Sequence, residues 1–194
     1  QGKIDSNPAD PDIIRSSFNV LQQVNVDFFN SSSVEVDGID IEVFYAPTDT
    51  FTAGLNSSYL LNYDITLPDG SKEDAAGFFN VNNFARSLPE WKATAYLMHA
   101  TEKQNVSAHL NYISSYDLHR DEADLNGFGK NSINAFTTVD FQYGINLDTI
   151  NDDSALVTIG IKNVFDRRPP RVTLLQNLSY DPKQHNPLGR VFYG

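Results

Sequence analysis

The histidines have the widest chemical range of any residue type in this chain, which contains four: His99, His109, His119 and His185. A histidine can bind a metal or exchange a proton near neutral pH. Metal sites need several ligands at characteristic spacings. No two of these histidines have such a spacing, and the chain has no cysteine. The sequence therefore favours surface or lumen positions over metal or haem binding, with His109 on a polar strand face and His119 in a long loop.

Acidic residues offer two further kinds of chemistry. The segment Glu122–Gly127 resembles half of a calcium loop, but Ile133 stands at the position where a bidentate glutamate is needed. Acidic pairs such as Asp121–Glu122 and Asp152–Asp153 lie in predicted turns. A hydrolase instead holds two carboxylates at a fixed separation on a rigid site. With no phosphate-binding glycine loop and no nucleophile elbow in the sequence, we predict no catalytic residue, no metal site, no cofactor site and no enzyme activity.

A basic run, Asp166–Arg171, follows the last long predicted strand. Its arginines are able to meet an anionic ligand. Alternatively, Pro169 and Pro170 end the strand, and the arginines sit near lipopolysaccharide or neighbouring acids. The second interpretation is favoured.

Composition narrows the class of protein. The 194 residues are 40% hydrophobic and carry a net charge of −11. This composition suits an ordered protein, and the negative charge disfavours nucleic acid as a partner. No apolar run approaches the ~20 residues of a transmembrane helix. The polar start at Gln1–Ser6 contains no signal peptide, as expected for a mature secreted protein or a fragment.

Side chains alternate between apolar and polar along most of the chain, the pattern of a strand with two different faces. From Phe51 to Leu67 the odd positions are apolar except Ser57, and the even positions are polar or glycine except Leu60. No helical period competes with this alternation. We predict an all-β fold of about eight antiparallel strands, centred on Val24–Phe28, Ile39–Tyr45, Phe51–Leu67, Trp91–Leu97, Val106–Tyr112, Ile133–Asp148, Val157–Ile161 and Gly189–Tyr193.

The connections between these strands alternate in length, apart from the first, Asn30–Ser33, which is short although it belongs to the long set. Short ones are predicted at Pro47–Thr50, Thr101–Asn105 and Thr149–Asp153. Long ones are predicted at Pro68–Ser87, Asp117–Ser132 and Asp166–Leu188. In an up-and-down meander this order places all short turns at one end and all long loops at the other, as in outer-membrane barrels.

Two kinds of protein fit such a meander. In a soluble sandwich or small barrel the apolar face points inward, whereas in a transmembrane barrel it faces lipid and the polar face lines the lumen. The longest predicted strands exceed the ~9–11 residues needed to cross a bilayer, which favours the membrane barrel. Aromatic residues on the apolar faces resemble an interfacial girdle; they are Tyr45, Tyr63, Trp91, Tyr112, Tyr116 and Tyr143.

Several motifs, taken in order along the chain, resemble the C-terminal part of a TonB-dependent outer-membrane receptor. The segment Asn30–Glu42 resembles the entry to a descending strand, and Val157–Asp166 resembles the penultimate strand with its Asn-x-Phe-Asp ending. The remaining motifs are Leu88–Lys92, Asn111–Ser114, Tyr180–Pro182 and Gly189–Arg190.

This resemblance implies that residues 1–194 are a C-terminal portion of the barrel, with the plug, the TonB-contacting box and the earlier strands absent. The implied function is uptake of a scarce solute (a siderophore, vitamin or carbohydrate) across the bacterial outer membrane, driven through TonB. The implied partners are outer-membrane lipid, TonB through the absent N-terminal part, and a small-molecule ligand at the three long loops. The alternatives are a soluble all-β binding module for an apolar ligand or glycan and, less favoured, an envelope hydrolase or adhesin domain.

Overall fold

A computed structural model of the chain describes residues 13–18, 20–25, 33–67, 70–80, 86–118, 132–148, 154–172 and 179–194. The chain divides into two compact units, Gln1–Ser32 and Ser33–Gly194. Among the described residues, no helix is long and apolar enough to cross a membrane.

The first unit contains one hairpin. Strand β1 (Ile13–Arg15) pairs antiparallel with β2 (Leu21–Val24). The strand predicted at Val24–Phe28 is therefore wrong in its placement, because Val24 ends β2 instead of beginning a strand of the main meander. Val26 and Phe28 lie outside the described residues.

The second unit is built on an antiparallel meander of seven strands in one sheet, ordered β3-β4-β8-β9-β12-β13-β14. The sheet has an eighth strand, β5, which pairs with residues 64–66 of β4, past the part of β4 that pairs with β8. The described strands have these bounds: β3 (Ser33–Thr48), β4 (Phe51–Thr66), β5 (Lys72–Asp74), β6 (Phe78–Asn80), β7 (Arg86–Ser87), β8 (Trp91–Ala100), β9 (Gln104–Ile113), β10 (Tyr116–Leu118), β11 (Ser132–Ile133), β12 (Phe136–Asp148), β13 (Ser154–Lys162) and β14 (Val191–Tyr193).

The register sorts the side chains of this sheet onto an apolar face and a polar face. One row of directly paired residues crosses all seven strands and is apolar throughout: Tyr45, Ala53, Leu97, Ala108, Phe141, Ile161 and Phe192. A row on the other face crosses five strands and is polar throughout: Glu42, Asn56, Thr94, Asn111 and Thr138. A slip of one residue in any strand would exchange its two faces.

The apolar face has no covering layer among the described residues. Leu97 is 54% exposed and Phe192 is 69% exposed, although side chains of this kind are normally buried. Every residue of the edge strand β3 is exposed as well. Within the described part of the chain, β3 and β14 each pair on one side only, so this sheet is open.

Two tyrosine rings lie flat on the polar face because glycines stand beneath them. A Cβ atom at Gly54 would come within 2.3 Å of the Tyr96 ring, and one at Gly160 within 2.2 Å of the Tyr193 ring. Each glycine is the direct cross-strand partner of its tyrosine. Any larger residue at these positions would push the ring off the sheet.

The buried core of the second unit lies at the long-loop end. Two of the long connections form one small sheet there, ordered β11-β10-β6-β7. Strands β6 and β10 belong to different connections and pair in parallel. A cluster of buried side chains packs with this sheet: Phe79, Tyr116, Leu118, Ile133 and Val172.

This small sheet corrects two predictions. The sequence predicts that Ile133 begins the long strand Ile133–Asp148, but it belongs to β11 and is 1% exposed, and β12 begins at Phe136. Tyr116 was placed in an aromatic girdle, but it is 2% exposed in β10. In both cases the alternation of the neighbouring long strand was extended through a bend.

We expect Ile133→Ala to loosen the long-loop end without unfolding the large sheet. Truncating a buried isoleucine to alanine costs about 2–5 kcal/mol, and this side chain contributes to the loop cluster. Amide hydrogen exchange in the intact protein should accelerate at Tyr116–Leu118 and stay unchanged at Val106–Leu110. Equal acceleration in both segments would contradict a separate loop core.

Candidate functional site

The polar face is held by side-chain hydrogen bonds that run from strand to strand. The Ser58 hydroxyl donates to the Asp40 carboxylate at 2.6 Å, and the Thr94 hydroxyl donates to the side-chain oxygen of Asn111 at 3.2 Å. The Asn111 amide in turn donates to Asp140 across 3.2 Å. These bonds fix the polar side chains of β3, β4, β8, β9 and β12 in place.

The end of β13 and the start of β14 meet in a compact joint. Asn163 and Asp166 both have left-handed backbones, with φ of 52° and 51°. The Asn163 side chain bonds both the N–H and the carbonyl of Arg167, at 2.9 and 2.8 Å. The Asp166 carboxylate accepts the Arg190 N–H at 2.9 Å. The Asn-x-Phe-Asp and Gly-Arg motifs of the sequence are therefore two halves of one joint.

The same joint ties β13 to β12. Asp140 accepts the Asn163 N–H across 2.8 Å through one carboxylate oxygen, while its other oxygen accepts the Asn111 amide. The Val164 N–H donates to the Val139 carbonyl at 2.8 Å. Asp140 thus connects the polar face of the sheet to the turn that begins the last long connection.

A cleft of about 760 Å³ lies on the polar face next to this joint. Strands β9, β12, β13 and β14 form its floor, and the connection before β14 forms one side. Its polar lining residues are Asn111, Thr138, Asp140, Gln142, Lys162, Asn163, Gln184, Asn186 and Tyr193. A concave site with several converging polar groups is the usual form of a small-molecule site.

Some polar groups of the cleft are already used by the protein. Both Asp140 oxygens accept hydrogen bonds, and the Asn163 side chain is occupied by Arg167. Gln142 uses its carbonyl oxygen to accept the Tyr193 hydroxyl at 3.1 Å, which leaves its amide nitrogen without a partner among the described residues. Asn186 similarly uses its side-chain oxygen to accept the Leu188 N–H.

The groups that remain open are mainly hydrogen-bond donors. Among the described residues they are the amide nitrogens of Gln142 and Asn186, the Thr138 hydroxyl hydrogen, and the Lys162 ammonium, which lies 5.9 Å from the centre of the Tyr193 ring. Gln184 adds one open acceptor oxygen, because its amide nitrogen donates to the Ser87 carbonyl at 2.6 Å. Such a set suits a ligand rich in oxygen acceptors.

The loop that carries Gln184 and Asn186 is seated by a buried polar cluster. The Asp181 side chain is fully buried and accepts the Tyr116 hydroxyl at 2.7 Å and the Lys183 N–H at 2.9 Å. His185, 4% exposed, has its Nε2 3.2 Å from the same hydroxyl. The His185 and Phe136 rings form a T-shaped contact with their centroids 5.1 Å apart. One tyrosine therefore links both polar groups of the loop to β10.

Burial determines the protonation of this cluster. It raises the pKa of Tyr116 well above its usual value, and the hydrogen bond to Asp181 adds to the rise, so the hydroxyl stays a donor. Burial lowers the pKa of His185 from its usual 6.5; the Asp181 carboxylate opposes this shift and Lys92 adds to it. His185 is therefore neutral at neutral pH.

The predicted ligand loops contribute unequally to the cleft. Asp166–Leu188 supplies Gln184, Asn186 and Leu188, although 173–178 lie outside the described residues. Pro68–Ser87 contributes only a backbone contact, through Ser87, and residues 68, 69 and 81–85 are not described. Within Asp117–Ser132 only the ends are described, so the calcium-like segment and His119 are outside the description.

The other candidate residues are separate from the cleft or outside the described part. His99 is on β8, while His109 lies on the polar face with its ring 5.9 Å from Tyr96. Arg168 and Arg171 line a smaller cavity of about 410 Å³ with Asp166 and Tyr180. Asp121–Glu122 and Asp152–Asp153 are not described. Among the described residues, no group of three or more His, Asp or Glu side chains is arranged to hold a metal.

Tyr116, Asp181 and His185 are residues of the site that the sequence did not predict. One usable signal was the Tyr180–Pro182 motif, because an aspartate before a proline commonly starts a turn with its own carboxylate. A second signal was the position of Tyr116, which follows two serines after the alternating stretch of β9.

Comparison with known proteins gives a likeness of fold. The chain is similar to a crystal structure of a mutant ferric enterobactin receptor from Pseudomonas aeruginosa, with a TM-score of 0.53 and 14% sequence identity. The match covers 90% of this chain and 23% of that one. No protein-family model matches the chain, and neither does any curated protein sequence. The prediction of an all-β antiparallel meander is confirmed.

We expect Gly189→Ala to detach the start of β14 from the joint. Gly189 has φ of +65°, and a Cβ there would lie 2.7 Å from the Asp166 oxygen that binds Arg190. The left-handed backbone costs an alanine about 1–2 kcal/mol. The new Cβ would also displace the Asp166 carboxylate and so break its hydrogen bond with the Arg190 N–H. Hydrogen exchange at Arg190–Tyr193 should accelerate.

Gly70→Ala is the matched control for this variant. Gly70 has φ of +84°, but a Cβ there would meet nothing within 4 Å. The control has the backbone strain without the clash, so exchange at Arg190–Tyr193 should stay at the parent level. Similar acceleration in both variants would contradict the role of the joint.

Proposed function

We propose that this chain forms wall and external loops of a transmembrane barrel that imports a scarce solute across a bacterial outer membrane. The observation that carries the proposal is the uncovered apolar row that crosses all seven meander strands, together with a polar row that crosses five of them on the other face. In a bilayer, lipid would cover the apolar row and the polar row would face a water-filled interior.

The lengths of the strands and the positions of their short and long connections support this placement. The meander strands β3, β4 and β12 have 16, 16 and 13 residues, and crossing a bilayer takes about 9–11. The described turns Asp49–Thr50 and Glu102–Lys103 are short, and the small sheet lies at the opposite ends of the strands. The long-loop end would face outward.

The solute class follows from the fold likeness and from the cleft. The similar solved structure is a ferric enterobactin receptor, and an open set of amide and ammonium donors suits an oxygen-rich molecule. We infer that this chain serves uptake of a siderophore, vitamin or carbohydrate, which reaches the long-loop end first and contacts the cleft. Energy would come through TonB, which would contact a part of the protein outside this chain.

A pair of adjacent spin labels tests the membrane assignment. Phe141 is 40% exposed on the apolar face, and Gln142 follows it on the polar face. In the intact protein in bilayers, without other reactive cysteines, a label at Phe141→Cys should be relaxed by oxygen, which concentrates in lipid. A label at Gln142→Cys should respond instead to a water-soluble nickel complex.

The opposite pattern, or a Phe141 label protected from both agents, would overturn the proposal. Protection from both would indicate a dry core and would favour the soluble binding module.

Two substitutions test the cleft once uptake by cells producing the intact protein has identified the solute. Gln142→Ala and Asn186→Ala each remove an open donor, and one hydrogen bond is worth about 0.5–1.5 kcal/mol. Each variant should weaken solute binding by about 2- to 12-fold. Ser58→Ala, on the same face but outside the cleft, is the control and should bind like the parent. Unchanged binding in both cleft variants would exclude the cleft as the contact site.

A further inference from the structure

His185 occupies a position that links a titratable group to the shape of the cleft. Its sequence neighbours Gln184 and Asn186 both line the cleft, while its own ring is buried behind them. Any movement of the ring out of its site must therefore move two residues of the cleft wall. The ring is held there by the Tyr116 hydroxyl, which also holds Asp181.

Hydrogen bonding defines which form of His185 fits this site. The Tyr116 hydroxyl donates to Asp181, so its oxygen is free to accept from Nε2–H of His185. The other ring nitrogen, Nδ1, is buried and has no partner among the described residues. The site thus pairs the Nε2–H of a neutral ring and leaves its Nδ1 lone pair without a donor, whereas a second proton on Nδ1 would make the ring a buried cation with an unpaired donor.

We propose that His185 is a positioning residue of the cleft: its neutral ring keeps the segment Asp181–Asn186 seated on β10, and acidification releases this wall of the cleft. The site would then bind its solute best at neutral pH and open as the surroundings become acidic.

The charged and titratable groups around the ring set the direction of the effect. Asp181 faces it from the same loop, Tyr116 from β10 and Lys92 from β8. Asp181 favours a protonated ring, whereas burial and Lys92 oppose it, with burial the largest influence. The pKa of the seated ring is therefore below the 6.5 of a detached one.

The sign of the pH dependence follows from this difference. The seated state is fully favoured above pH 6.5, and that advantage is lost as the pH falls from 6.5 towards the lowered pKa of the seated ring. Over this range one proton raises the ratio of detached to seated loop by up to about tenfold per pH unit.

A spin label at Leu188 reports the position of this loop. Leu188 lines the cleft and is 71% exposed, so a label there leaves the buried cluster intact. In the intact protein, the mobile fraction of the label should rise as the pH is lowered from 7.5 to below 6.5. A label at Leu110, which is 43% exposed on β9, should keep its line shape and show that the sheet is unchanged.

The variant His185→Gln separates titration from packing. Glutamine keeps an amide donor for the Tyr116 oxygen but has no proton to gain, so the pH response at Leu188 should disappear. His109→Gln removes the histidine stacked on Tyr96 and is the matched control, in which the response should persist.

Tyr116→Phe provides a second variant that keeps the ring packing. It removes the hydroxyl shared by Asp181 and His185, so the Leu188 label should be more mobile than in the parent at every pH.

Three results would overturn the proposal: a Leu188 label that does not respond to pH in the parent, a response that persists in His185→Gln, or a Tyr116→Phe variant that behaves like the parent. The seat of this loop is independent of what covers the apolar face, so labels at Leu188 and Phe141 test separate questions.

Discussion

The alternation of side chains along paired strands is the constraint from which the rest of this structure follows. Because neighbouring strands stay in register, each residue of one face lies beside residues of the same face. One local irregularity, between Asp37 and Gly38 in β3, preserves this sorting. Val36 has an even number and Ile39 an odd one, yet both pair with odd-numbered residues of β4, Tyr63 and Tyr59. The apolar face therefore extends along β3 although the sequence period changes within it.

The sequence was sufficient for the strands and insufficient for the loops, for a physical reason. Alternation is local information, so Phe51–Leu67 and Val106–Tyr112 were placed well from their own residues. The parallel pairing of β6 with β10 joins two separate connections, and no local pattern encodes such a meeting. Ile133 and Tyr116 were misplaced for the same reason, because their partners come from distant parts of the chain.

The motifs noticed in the sequence prove to be contact partners. Asp166 bonds the backbone of Arg190. The Ser114 N–H donates to the Trp91 carbonyl at 2.8 Å, and the Trp91 N–H donates to the Ser114 hydroxyl at 3.1 Å. Asp181 bonds Tyr116. Each pair joins the end of one strand to the start of another strand or to a loop. These short motifs therefore specify how the strand ends are connected. Some of the motifs also reach the cleft, because Asn111 and Asn163 are among its lining residues.

The hydrogen bonds among polar side chains have a consequence for any molecule that moves along this face. Ser58 is bonded to Asp40, and Thr94 is bonded to Asn111, while the Tyr96 ring lies flat over Gly54. These side chains use their polar groups on one another and offer fewer of them to a molecule in contact with this part of the face. Passage through a protein requires that a solute is never held too tightly at one position. Under the proposed function, this part of the polar face would hold a solute less tightly than the cleft, where the amide nitrogens of Gln142 and Asn186 have no partner among the described residues.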